Sequence, residues 1–192
     1  MKKLKQKNKL NSGFTLVETL VAITIFTVSI LTLMIVLGNG ITDANYAKRK
    51  MTAEYLAQEG IEYIHNLRDT SAFSSTGGWA NNFKSSLSRC ILPNGCYFDE
   101  QNVLSFGHTM TALDFTSCSP SCPPLLYDSS KGRYGYGYPS GVDSGFVRKI
   151  TVDDLEYLNQ GDEVKVTSTV SWTQGSGTYS VSFSENLFKW IR

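Results

Sequence analysis

The sequence predicts an α+β protein, with one long N-terminal helix packed on a C-terminal antiparallel β-sheet. Three observations carry this prediction. Residues 14–37 are mostly Leu, Ile, Val, Phe and Thr and hold one charge, Glu18. Between Ile41 and about Leu67, apolar residues return at three- and four-residue steps, the signature of an amphipathic helix. Over the last fifty residues, apolar and hydroxyl side chains alternate, the period of a half-buried strand. A helix with an apolar stripe and a sheet with one apolar face bury each other.

In chain order, residues 1–13 are polar and basic, with five lysines (Lys2, Lys3, Lys5, Lys7 and Lys9) before Gly13. The apolar run of 24 residues exceeds the roughly 20 that a bilayer span needs. It must be helical in lipid, because only internal hydrogen bonds satisfy its backbone there. Thr15, Thr19, Thr24, Thr27 and Thr32 fit such a helix, since their hydroxyls bond back to preceding carbonyls. Gly38-Asn39-Gly40 follows. Each glycine costs about 1 kcal/mol against alanine in a helix. The stretch reads either as a weak point at the membrane surface or as a hinge.

In residues 38–68, the stripe is Ala53, Ala57, Gly60 or Ile61, Ile64 and Leu67, with Lys48, Arg49, Lys50, Glu54, Glu59, Glu62 and Arg68 mostly elsewhere. Such a helix is half exposed and half packed on a domain. Residues 69–192 form the head. Trp79, Phe83 and Leu87 suggest a short amphipathic helix, and residues 97–106 and 125–127 suggest short strands. Lys131-Gly132-Arg133-Tyr134-Gly135-Tyr136-Gly137-Tyr138 reads as a hairpin or loop whose tyrosines cover the head, or else as an exposed recognition surface. Strands are expected over residues 146–152, with Phe146, Ile150 and Val152 on one face; over Val164, Val166, Val170 and Trp172; and over Tyr179, Val181, Phe183 and Leu187. Gln174-Gly175-Ser176-Gly177 turns the last two into a hairpin.

A lone carboxylate in a membrane span costs about 2.5–3.5 kcal/mol near the helix centre on insertion scales, so Glu18 calls for a partner. The segment Gly13-Phe14-Thr15-Leu16-Val17-Glu18-Thr19-Leu20-Val21-Ala22-Ile23 resembles the N-terminal signature of type IV prepilins and pseudopilins. The resemblance covers about a dozen residues and implies a pilin-like fold. It implies cleavage after Gly13 by a prepilin peptidase, N-methylation of Phe14, and a role for Glu18 in setting subunit register during assembly. The implied partners are that peptidase, other pilin or pseudopilin subunits, an inner-membrane assembly platform and membrane lipid. The implied location is the cytoplasmic membrane, spanned once with the leader inside and the head outside, and then a filament. The basic cluster before the span gives the same orientation. A loop-rich, cysteine-bearing head suggests a specialised, minor subunit.

Without the five leader lysines, 13 Lys and Arg stand against 17 Asp and Glu, a net charge of about −4; this does not suggest a nucleic-acid partner. Cys90, Cys96, Cys118 and Cys122 are expected on the exported, oxidising side, where disulfides form. Three connectivities exist. Local pairing is favoured, because Pro93-Asn94-Gly95 turns the chain between the first two. A zinc site is the alternative, but these spacings are not those of common zinc modules.

No catalytic constellation stands out, no enzymatic activity is expected, and no cofactor is assigned. His65 reads as an exposed helical histidine near Asp69, and His108 lies beside no nucleophile motif. Asp99, Glu100, Asp153, Asp154, Asp162 and Glu163 read as solvated turns. Calcium in the head is the alternative, without the EF-hand loop pattern. The competing reading of the whole chain is an anchored or secreted binding module that never polymerises. The apolar run is longer than the usual 7–15-residue signal-peptide core, and a plain anchor has no use for Glu18.

Overall fold

A computed structural model describes residues 13–73, 83–84, 86–99, 115–153 and 163–189. The chain divides into two units, Met1–Tyr46 and Ala47–Arg192. The long helix, α1, runs over Leu16–Phe73.

In the first unit every described residue is exposed. Its hydroxyls are satisfied along the helix. Thr19 donates to the Leu16 carbonyl, Thr24 to Val21, Thr27 to Thr24, Ser29 to Ile25 and Thr32 to Val28, at 2.8–3.0 Å. This back-bonding removes the cost of carrying a hydroxyl into an apolar medium. The expected weak point at Gly38-Asn39-Gly40 is helical throughout, and Thr42 donates to the Gly38 carbonyl at 3.1 Å. A cost of about 1 kcal/mol per glycine is smaller than that of leaving several backbone groups unpaired in hydrocarbon. The helix also ends at Phe73, five residues beyond the stripe's end near Arg68.

The second unit is the head. Strands β1 (Cys96–Phe98), β2 (Phe115–Ser117), β6 (Phe146–Val152), β7 (Glu163–Gln174) and β8 (Gly177–Phe188) form one antiparallel sheet in the order β2-β1-β6-β7-β8. Strands β3 (Leu126–Asp128), β4 (Arg133–Gly135) and β5 (Val142–Asp143) form a second, in the order β4-β3-β5. The long strands β6, β7 and β8 follow the alternation read from sequence. The β7–β8 hairpin closes at Gln174↔Gly177, leaving Gly175-Ser176 as the loop, with Gly175 at φ 60°, a backbone state that favours glycine.

Elsewhere the short elements differ from the sequence reading. Of the helix expected at Trp79, Phe83 and Leu87, the described residues Phe83, Lys84 and Ser86 are helical and lead into a 3-10 turn over Leu87–Cys90; Trp79 lies outside the described residues. Both Phe83 and Leu87 are fully buried, as the four-residue spacing of one apolar face requires. The strand expected from residue 97 is Cys96–Phe98, residues 100–106 lying outside the described set. The strand expected over residues 125–127 is Leu126–Asp128.

Ala53, Leu56, Ala57, Ile61, Ile64 and Leu67 bury one face of the helix. Toward its C-terminal end they join Leu87, Phe98, Phe115, Ile150, Val164 and Leu187. Toward its N-terminal end they join Leu125, Tyr136, Phe146, Val170 and Trp172. Gly60 lies at a close approach of helix and sheet: a Cβ there runs into the Ser168 hydroxyl and comes within 3.0 Å of Ile150 Cδ1. The glycine-rich tyrosine segment covers the head. Tyr136 and Tyr138 are buried, Tyr134 stands edge-on to Phe146 with ring centroids 6.0 Å apart, and the exposed-recognition alternative does not describe these rings.

Candidate functional site

The residues singled out at the N-terminus form a helix start. Helix α1 begins at Leu16, and Thr15 precedes it. The Thr15 carbonyl accepts from the Thr19 N–H at 3.2 Å, and its hydroxyl accepts from the Glu18 N–H at 3.3 Å. Thr15 therefore occupies the N-cap, and Glu18 is the third helical residue. Thr-x-x-Glu is the capping-box pattern. Helical dipoles leave roughly half a positive charge at an N-terminus, so a carboxylate in the first turn is stabilised before any partner arrives. The sequence reading overlooked Thr15 in this role, although the spacing was legible.

Gly13 and Phe14 precede the cap in non-helical, exposed backbone. Phe14 lies outside the helix, which begins at Leu16. The cap explains this: Thr15 must leave helical geometry to turn its hydroxyl onto the Glu18 amide. Beyond Glu18, large apolar side chains such as Leu20, Ile23, Phe26 and Leu31 are all more than half exposed. The helix is long and apolar enough to cross a membrane.

In the head the cysteines are paired locally, Cys90 with Cys96 and Cys118 with Cys122. The first bridge ties the 3-10 turn to β1. The second lies beside it, since the Cys118 amide donates to the Gly95 carbonyl at 3.0 Å. Thiols consumed in disulfides supply no zinc ligands, which removes the zinc alternative for these four.

His65 differs from its sequence reading. It meets Glu185 of β8 at 2.8 Å, so it ties the helix to the sheet rather than standing exposed beside Asp69. Asp69 instead pairs with Arg68 at 2.9 Å. Sequence reasoning also missed Arg148. It occupies an inward position of β6, is 1 % exposed, pairs with Glu59 at 2.9 Å and lies 4.7 Å over the Phe98 ring. The signal was an arginine in phase with Phe146, Ile150 and Val152.

Among the described residues no group of three or more His, Cys, Asp or Glu is placed to hold a metal. His108, Glu100, Asp154 and Asp162 lie outside the described residues.

A family model described as the prokaryotic N-terminal methylation motif matches residues 8–36. Neither curated proteins nor solved structures give a match. The matched stretch contains the Gly13–Phe14 junction, the Thr15 cap, Glu18 and most of the uncovered apolar helix. Together with the helix-on-antiparallel-sheet layout, this motif supports a type IV prepilin-like protein of structural rather than enzymatic kind.

Proposed function

We propose that this protein is a structural subunit, and a minor one, of a type IV pilus or pseudopilus. A prepilin peptidase removes residues 1–13 and methylates Phe14, and residues 14–37 hold the subunit in the membrane and then in the filament. The head, on the extracytoplasmic side, supplies the specialised surface. One observation carries this reading: Glu18 lies in the first turn of an apolar helix whose described side chains, over residues 14–46, are exposed.

Cleavage frees an amine at Phe14, and N-methylation leaves it protonated. A neighbouring subunit staggered along a filament brings its own amine to Glu18. In a low-dielectric surround that pair is far stronger than at a wet surface, and a mis-registered subunit leaves Glu18 unpaired. Register becomes selective because only one stagger satisfies both charges.

The test is the intact mass and N-terminal residue of the protein from its native host. A chain beginning at methylated Phe14 supports the proposal. A chain retaining Met1, or beginning near Asn39, overturns it in favour of a plain anchor or a secreted module.

A further inference from the structure

The smaller sheet of the head carries a pair of rings that the proposed assembly does not use. Tyr127 of β3 lies directly opposite Tyr134 of β4. Residues so placed on an antiparallel pair turn their side chains to the same face. The two rings stand with centroids 4.9 Å apart and planes tilted by 45°. On the far side of β3, Tyr127 is opposite Val142 of β5.

Both partners are held in place. The β3–β4 turn is bonded shut: the Gly132 N–H donates to the Asp128 carbonyl at 2.8 Å, and the Ser130 hydroxyl donates to the Asp128 carboxylate at 2.6 Å. On its other flank Tyr134 stands edge-on to Phe146, and Phe146 lies under the Arg49 guanidinium, 5.6 Å from its ring centroid. Tyr134 is the seated, half-buried member of the pair, and Tyr127, 37 % exposed, is the open one. A second tyrosine pair, Tyr97 and Tyr136, is as close, with centroids 4.9 Å apart, but Tyr136 is buried. Tyr179 is as exposed as Tyr127 and stacks on Trp172. Access and a close phenol partner therefore coincide at Tyr127 and Tyr134.

We propose that Tyr127 and Tyr134 are a site of oxidative modification, joined into a dityrosine by a haem peroxidase acting with hydrogen peroxide. Each phenol gives up one electron and its phenolic proton. The unpaired electron of each phenoxyl spreads onto the ring carbons beside the oxygen-bearing carbon, the Cε atoms. A Cε of Tyr127 then bonds to a Cε of Tyr134. The hydrogens on those two carbons leave as protons, and both oxygens take protons back, so both phenols are restored. The chain loses two hydrogen atoms in all, and the peroxide leaves as two waters. Rings held side by side make the coupling unimolecular, so in dilute protein it outpaces coupling between chains. The product is a covalent staple between β3 and β4 that reduction of the disulfides does not undo. The site belongs to the head and does not depend on the function proposed above.

The test is peroxidase and hydrogen peroxide added to the full chain, dilute in detergent, with free tyrosine in a parallel reaction to show that the oxidant is active. The monomer is expected to gain dityrosine fluorescence and, after reduction and digestion, to yield a peptide that links residues 127 and 134 and is lighter by two hydrogens than its parts. Tyr127→Phe and Tyr134→Phe keep the ring and remove the phenol, and each drops the monomer's dityrosine signal to background. Tyr136→Phe and Tyr179→Phe leave it at the wild-type level. The proposal is overturned by a monomer that stays uncoupled while free tyrosine reacts, by a link that maps to Tyr97 and Tyr136, by coupling confined to dimers, or by a monomer signal that survives Tyr127→Phe.

Discussion

Glu18 and Glu59 sit on the same helix and meet opposite circumstances. Glu59 belongs to the head, where its carboxylate meets a buried arginine brought in by β6. Glu18 belongs to the N-terminal unit, where the chain offers it a capped helix start and, among the described residues, no cationic side chain. The contrast extends to whole regions. In the head, the apolar face of the helix is covered by the sheet and the buried Arg148 is paired from within the chain. In the N-terminal unit, the threonine and serine hydroxyls bond along the helix while every described apolar side chain is exposed. A segment that completes its hydroxyl bonding and none of its apolar burial suits a surround supplied from outside, which the proposed function assigns to lipid and then to neighbouring helices.

Four substitutions break or sharpen that contrast. Glu18→Ala has the largest expected effect on function. Incorporation into filaments is lost, while the thermal unfolding of the head is unchanged; retained incorporation at wild-type levels refutes the role given to Glu18. Glu59→Ala behaves in reverse. Removing one partner of a buried pair costs about 3–5 kcal/mol, and because Glu59 itself is partly wet, a loss of about 2–3 kcal/mol is expected on urea unfolding. Membrane insertion is unaffected.

Gly60→Ala comes next. Helix propensity favours alanine by about 1 kcal/mol, but the new methyl collides with Ser168 in a packed layer, and overpacking costs about 1–3 kcal/mol. A net loss of about 1–2 kcal/mol is expected, and pairing it with Ser168→Ala recovers part of it. A net gain from Gly60→Ala alone is inconsistent with the close helix–sheet contact.

The smallest effect concerns the β3–β4 turn. The Asp128 carboxylate accepts from the Ser130 hydroxyl at 2.6 Å and the Ser130 amide at 2.9 Å. The hydroxyl bond first, then the amide bond and the Lys131 charge, hold Asp128 below the usual carboxylate range against some desolvation. A carboxyl whose affinity for protons falls on folding stabilises the fold at neutral pH and loses that contribution as pH drops below its unfolded value, about 3.9. Asp128→Asn is therefore expected to lower stability slightly at pH 7 and to narrow its gap to wild type toward pH 3. A gap that stays constant across that range assigns the turn's stability to packing instead.

Much of the molecule was legible in the residues because the governing physics is local. A long apolar run needs a helix whatever surrounds it, a period of two fixes which faces of β6, β7 and β8 are buried, and a glycine-rich link fixes their hairpin. The Thr15 cap was equally legible from its spacing to Glu18. The short strands β2 and β5 escaped notice, since three residues or fewer carry no periodicity. Only the tertiary structure joined residues far apart in sequence. It set Arg148 on Glu59, His65 on Glu185 and Ser168 against Gly60, and left β8 at the sheet edge. Contacts of that kind depend on strand order and on the rotation of the helix over the sheet, which no local pattern encodes.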